Sequence, residues 1–194
     1  MNFLGISSLC YKTKLMSRLS HSLSYFDKDE LIDDISDALF FFNERQELIE
    51  SFSDCYRIKS INSVLMKYDR YDKRTSVERV YNDLLGFRLI CEVYDTLDDI
   101  SEDVSIRRIS DMRYGKRIDD GYRGIHIYIQ PSHEHYPIEV QINTLHDRIF
   151  ADWAHIYLYK QADISIGVRL RKLYDDGIIK TEEDFKKEML RCVI

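Results

Sequence analysis

The stretch GYRGIHIYIQPSHEHYPIEVQINT, Gly121 to Thr144, decides the fold reading, because apolar and polar residues alternate on both sides of a proline-bearing loop. Side chains of a strand point to opposite faces in turn, so the alternation predicts two short strands. In the first, Tyr122, Gly124, His126 and Tyr128 share one face, with Arg123, Ile125, Ile127 and Ile129 on the other. In the second, Glu139, Gln141 and Asn143 line up opposite Ile138, Val140 and Ile142. An antiparallel surface hairpin with one wet face has the same period. It gives no reason for an aromatic, a histidine, a carboxylate and an amide to converge beside glycines.

Around this stretch, the 194 residues, 44% of them hydrophobic, suffice for one sizeable core and one domain, 1–194. The net charge of −6 argues against indiscriminate nucleic-acid binding but leaves room for a local basic patch. Cys10, Cys55, Cys91 and Cys192 lie far apart without metal-ligand spacing, and are expected as reduced, buried thiols of a cytoplasmic protein. No run reaches the roughly twenty apolar residues of a membrane span, and the N-terminus lacks the basic flank of a signal peptide. No membrane partner is expected.

Upstream, Lys12, Lys14, Arg18 and His21 have the spacing of one helix surface. From Asp29 to Asp54, acids interleave with Leu31, Ile32, Ile35 and Leu39 at helical spacing, and the run Phe40, Phe41, Phe42 reads as core. In YRIKSINSVLMKYDR, Arg57 and Lys59 immediately precede Ser60, a good helix N-cap residue. Cations at a helix start oppose the macrodipole unless a negative group, such as a phosphate, sits there too. Two exposed bases near a helix end are the plain alternative. VYNDLLGFRLICEV then runs from a short helix into a strand, Phe87 to Val93, with Asp83 at its mouth as a turn former or a magnesium ligand.

Another strand is expected over Val104 to Ile109. The charged connection Arg113 to Asp120, holding Lys116 and Arg117, is either a phosphate-facing loop or a solvated one. Beyond the hairpin, Thr144 to Ala162 reads as a helix with the apolar stripe Leu145, Ile149, Trp153 and Ile156; Arg148, Asp152, His155 and Tyr159 share a neighbouring face. Two amphipathic helices follow, split near Gly177, with Thr181 and Asp184 resembling a capping box.

The common phosphate, dinucleotide, zinc and acyl-transfer signatures are absent. His133, Glu134 and His135 sit in a loop and are not read as a metal site. The remaining bases Arg57, Lys59, Arg88 and Arg123, the strand-end carboxylates Asp83 and Glu139, and the aromatic Tyr122 suit phosphoryl-type transfer, in which a protein mainly positions groups and neutralises charge.

The order RIKS, DLLGFR, GYRGIH, EVQINT and HIYLYK resembles the RelA/SpoT synthetase domain over roughly Tyr56 to Lys160. The resemblance implies an α+β fold, a mixed β-sheet flanked by helices and related to nucleotidyltransferases. A motif-bearing core at 56–160 would lie between N-terminal helices at 1–55 and C-terminal helices at 161–194. It also implies transfer of the pyrophosphate of ATP onto a ribose 3′-hydroxyl. Arg57, Lys59 and Ser60 would hold ATP, with Arg88 framing its adenine or phosphates. Asp83 and Glu139 would bind Mg2+, and Glu139 would draw the proton from the attacking hydroxyl. Tyr122 would be an exposed stacking platform for the acceptor base, with Arg123, His126, Gln141 and Asn143 on the same acceptor side. His155, Tyr159 and Lys160 match the pattern as support.

The chain departs from that pattern at Gly124, where the family has Ser; at Asn143, where it has Arg; at Ile118, where a Lys is expected; and at Ile149, Phe150, Ala151 and Asp152, in place of AWAE. The lost cations would have made charge-assisted contacts to acceptor phosphates. With no hydrolase domain before the motifs and no regulatory region after them, a stand-alone small synthetase is expected. The altered acceptor motif and the basic stretch Lys12, Lys14, Arg18 lean towards the toxin type that modifies the 3′ CCA end of tRNA, with a neutralising antitoxin as partner. A (p)ppGpp synthetase using GDP or GTP is the alternative, and a nucleotide-binding regulator without turnover the third reading.

Overall fold

A computed structural model describes residues 5–94, 105–158 and 164–193. In chain order the elements are α1 (Lys28–Asn43), α2 (Gln46–Phe52), β1 (Tyr56–Ile58), α3 (Ile61–Arg70), α4 (Val77–Val80), β2 (Leu85–Cys91), β3 (Ile106–Asp111), β4 (Ile125–Ile129), β5 (Ile138–Thr144), α5 (Leu145–Trp153), α6 (Ile164–Asp175) and α7 (Glu182–Val193). The strands form one five-stranded sheet in the order β1-β2-β5-β4-β3. This is the expected α+β class with a mixed sheet.

The central place of β5 explains its composition. Ile138, Val140 and Ile142 are buried, and so are Glu139 and Asn143 on the opposite face. A central strand covered on both faces is not a hairpin with a wet side, so the polar residues of β5 are interior groups that need partners. The first strand begins at Ile125 rather than Tyr122, since Gly121 turns the chain at φ +84°.

The chain divides into two compact units. The first comprises residues 5–89, 105–109 and 126–141. Here α1 starts at an Asp27 cap, whose side chain accepts from the amides of Asp29 and Glu30, and it buries Leu31, Ile35, Ala38, Leu39 and Phe42. Phe40 is 65% exposed, so the aromatic run is core only in part. Successive helical residues turn by about 100°, which points neighbouring rings in different directions.

The basic N-terminal stretch does not form the expected helix. Asp34, 4% exposed, accepts from Thr13 Oγ1 at 2.6 Å, Lys14 N at 2.8 Å and Tyr136 Oη at 2.8 Å. Thr13 N and Leu19 N donate to the carbonyls of Glu134 and His133, both at 2.8 Å. Backbone donors that a helix would use internally are taken by these tertiary bonds. Cys10 is buried, and burial pushes its thiol up to about 12; Cys55 is exposed, against expectation.

The second unit comprises residues 90–94, 110–125, 142–158 and 164–193 of the described chain. Its core joins Phe150, Ala154, Leu158, Leu170, Tyr174 and Phe185. The helix of α5 continues as a π-helical turn, Ala154–Leu158. Its buried face is rotated from the expected stripe, since Leu145 is 61% and Ile156 52% exposed. Two adjoining stripes satisfied the period. The other one is buried through Phe150, Ala154 and Leu158, and it takes Asp147 with it, held by Arg171 at 2.6 Å and by Tyr94 Oη at 2.7 Å. Arg148 pairs with Asp152 as the spacing predicts. The capping box is reciprocal: Asp184 N donates to Thr181 Oγ1 at 3.2 Å and Thr181 N to Asp184 Oδ2 at 3.1 Å.

A close backbone approach ties α6 to the segment that opens the hairpin motif. A Cβ on Gly121 would meet the Gly167 carbonyl oxygen at 2.5 Å, and one on Gly167 would collide with the Asp120 carbonyl. Gly167→Ala is therefore expected to lower unfolding stability by about 1–3 kcal/mol, measured by urea denaturation. An unchanged midpoint would show that this approach relaxes freely.

Candidate active site

Both candidate carboxylates lie in the first unit. β1 pairs antiparallel with β2, placing Arg57 opposite Gly86 and Ile58 opposite Leu85. Lys59 N then donates to the Leu84 carbonyl at 2.8 Å, which brings the end of β1 beside the turn carrying Asp83. Asp83 Oδ2 accepts from Lys59 Nζ at 2.6 Å and Arg57 Nη2 at 3.4 Å, while Oδ1 accepts from Lys67 Nζ at 2.8 Å. Asp83 thus balances the two cations that precede α3 and Lys67 within it. Ser60 caps α3, its Oγ accepting from Ser63 N at 3.3 Å. The hydroxyl that the resemblance assigned to ATP thus serves as the cap, with its own proton left to donate. Arg88 donates its backbone amide to Cys55 at 2.8 Å and makes no ion pair with a described residue.

Burial pushes the Asp83 carboxyl up, but the charges of Lys67 and Lys59 and their hydrogen bonds outweigh it and hold the group below its ordinary value. Burial lowers the Lys59 ammonium in spite of Asp83. A half-buried cluster of this kind keeps the acid ionised.

Glu139, 7% exposed on β5, has a different environment. Tyr128 Oη donates to Oε1 at 3.0 Å, His126 Nδ1 lies 3.1 Å from the same oxygen, and Gln141 Nε2 donates to Oε2 at 2.8 Å. Burial raises its pKa and so does the charge of Asp83, yet the His126 and Gln141 contacts leave it lowered overall. The charge of Asp83 thus reaches Glu139. Gly86 lies on the adjacent strand, where a Cβ would make only ordinary contact with Glu139, 4.0 Å from Oε2.

His126 and Gln141, which the resemblance places on the acceptor side, both contact Glu139 here. Lys67 and Tyr128 were not singled out from the sequence. Lys67 falls two helical turns after Ser60, and Tyr128 shares the alternating face of His126; both spacings carried the signal.

The remaining acceptor residues lie in the second unit. Tyr122 is 8% exposed, not the exposed platform expected, and Lys116 Nζ stands 4.9 Å from its ring centroid. Asn143, 1% exposed, donates from Nδ2 to Tyr122 Oη at 3.2 Å and to the Arg123 carbonyl at 2.7 Å. It positions that segment and has no surface left for a ligand. A Cβ at Gly124 would strike Asn143 Nδ2 and approach Tyr122 Oη to 2.8 Å. The two departures at 124 and 143 are hence one coupled change. Arg123 grips Asp119 with Nη1 at 2.8 Å and Nη2 at 3.0 Å, and Lys116 reaches Asp120 at 2.6 Å. Side-chain acids thus balance these loop cations. His155 is on the π-helical turn; Tyr159 and Lys160 lie outside the described residues.

His133 is bonded to Glu78 at 2.7 Å and His135 to Ser132 at 2.9 Å. Among the described residues no group of three or more His, Cys, Asp or Glu side chains is placed to hold a metal by itself. Nor is any described helix long and apolar enough to cross a membrane.

The sequence profile described as "Region found in RelA / SpoT proteins" matches residues 56–164. No curated protein sequence matches the chain. Among solved structures, the small alarmone synthetase 1 from Bacillus subtilis is 18% identical, over 84% of this chain and 94% of that one, with a TM-score of 0.49. The small alarmone synthetase 2 from Bacillus subtilis is 20% identical over 87% and 100%, with a TM-score of 0.48. A GTP pyrophosphokinase family protein from Streptococcus pneumoniae is 17% identical over 77% and 90%, at 0.42.

Proposed function

Because the chain belongs to the RelA/SpoT family, we propose that it is a pyrophosphokinase that moves the pyrophosphate of ATP onto a ribose 3′-hydroxyl. The observation that carries this is the pair of ionised carboxylates in one unit, the half-buried Asp83 among three cations and the buried Glu139, which feels the charge of Asp83. Glu139 is the general base. It is charged at neutral pH, and Tyr128, His126 and Gln141 fix its orientation. Arg57, Lys59, Lys67 and Arg88 form the cationic side that receives the donor phosphates.

Asp83 and Glu139 would be the carboxylates that hold a magnesium ion, which favours one or two carboxylates together with substrate phosphates over an all-protein cage. When bound, such an ion neutralises charge on phosphoryl oxygens.

For the acceptor, the reading favoured is the 3′ end of tRNA. Lys12, Lys14 and Arg18 line one surface hollow beside the fully exposed Met16. Lys12 and Lys14 pair there with Glu134 at 2.9 Å and Asp37 at 2.7 Å. Exposed pairs of this sort are worth little and exchange readily for a polyanion. A guanine mononucleotide is the second reading, supported by the family alone. A cytoplasmic setting suits either substrate.

The test is to incubate the protein with labelled ATP and Mg2+, offering GDP, GTP, ADP and deacylated tRNA in parallel. Labelled tRNA is the expected product. Lys12→Ala/Lys14→Ala/Arg18→Ala should reduce tRNA labelling and flatten its salt dependence, leaving ATP binding unchanged. Normal tRNA labelling by the triple variant, or label only in GDP or GTP, overturns the tRNA reading. Label in no acceptor favours a regulator without turnover.

A further inference from the structure

A second cationic feature of the first unit is left over from this mechanism. A cavity of about 230 Å3 is lined by Arg79, Asn82, Arg107, Arg108, Tyr128 and Gln130, among others. Its one acidic lining residue, Glu78, is already engaged, by His133 at 2.7 Å and by Gln130 Nε2 at 3.0 Å. Arg107 Nη2 lies 2.6 Å from His133 Nε2, a neutral acceptor when the other ring nitrogen donates to Glu78. Arg79 and Arg108 have no carboxylate partner among the described residues. Arg108 instead stands over the Tyr128 ring, 4.1 Å from its centroid. Three guanidinium groups around one cavity repel one another unless an anion joins them, and their forked donors match phosphate oxygens. Asn82 and Gln130 add neutral amides.

We infer that this cavity is a phosphate-binding subsite, with Arg79 and Arg108 as its principal ligands and Arg107 as the third cation. It lies one side chain from the proposed base, because the Tyr128 hydroxyl beneath Arg108 donates to Glu139 Oε1 at 3.0 Å. The phosphate class therefore has two sources. One is a phosphate of the acceptor itself, an assignment that rests on the transfer reaction proposed above. The other is a separate phosphorylated compound acting on Tyr128 and Glu139 from outside the reaction.

The binding is tested without reference to activity. Arginine Nε–Hε resonances of the full chain are followed by NMR while inorganic phosphate is titrated at constant ionic strength, with chloride as control. Arg79 and Arg108, assigned through Arg79→Gln and Arg108→Gln, are expected to shift saturably with phosphate and not with chloride. No saturable shift, or an equal response to chloride, overturns the subsite whatever the enzyme does.

Transfer kinetics then identify the source. If it is the acceptor, the double variant Arg79→Gln/Arg108→Gln should raise acceptor KM roughly ten- to hundred-fold per lost charged hydrogen bond, with ATP KM unchanged. If acceptor KM is unchanged while the resonances still respond, a separate phosphate compound is the ligand. If the wild type labels no acceptor, the transfer reading fails and the resonances still decide the subsite.

Discussion

Glu139→Gln is expected to lower pyrophosphate transfer by about 10²- to 10⁴-fold, the usual contribution of a positioned general base, while ATP affinity and fold stay near wild type. The substitution keeps the shape and the oxygen that Tyr128 donates to at 3.0 Å, and removes only the charge. Gln141, whose Nε2 donates to the other oxygen at 2.8 Å, can turn its amide to meet the new group. A stability loss of about 1 kcal/mol, the net value of one hydrogen bond, is the most expected from this site. The wild-type carboxyl is held below its ordinary value, so its ionised form persists at neutral pH and transfer should decline on this account only below the usual carboxylate range. Single-turnover measurement of AMP release with the preferred acceptor reads the effect. Near-normal turnover would remove Glu139 from the chemistry and leave it a buried structural acid.

The strands that carry the site were legible because their signals are local. Period-2 alternation placed β4 and β5, and RIKS announced a helix that Ser60 indeed caps. What stayed hidden was tertiary. Nothing near Lys59 in sequence shows that its partner is Asp83, 24 residues on, nor that Lys67 completes the cluster. The basic stretch at Lys12 to Arg18 has helical spacing, yet a buried Asp34 takes donors of Thr13 and Lys14 and keeps it out of a helix. Polar alternation on β5 looked like a face for ligands because sequence cannot separate a polar residue facing solvent from one facing another side chain. Asn143 is of the second kind. Its coupling to Gly124 follows from the clash of a Cβ with its amide, a fact of packing that neither position states alone.

Asp83→Asn is expected to abolish transfer and also to destabilise the protein by about 3 kcal/mol, the range for removing one partner of a buried ion pair. Its carboxylate meets three cations, and the side chains of Lys59 and Lys67 are 7% and 14% exposed. Without the acid, two ammonium groups face each other with little water to screen them. The pH dependence gives the sign. Asp83 has a folded pKa below its ordinary 3.8. Its ionisation therefore contributes fully above that value, and the contribution drains away as pH falls through the folded value. The stability gap between wild type and Asp83→Asn, measured by urea unfolding, should be constant near neutral pH and close in acid. A gap that widens in acid would contradict the cluster. Combining Asp83→Asn with Lys67→Met removes one of the two stranded charges, and should restore part of the stability while transfer stays absent. If transfer returns with stability, Asp83 serves only to neutralise the lysines, and Glu139 is left as the single carboxylate of the reaction.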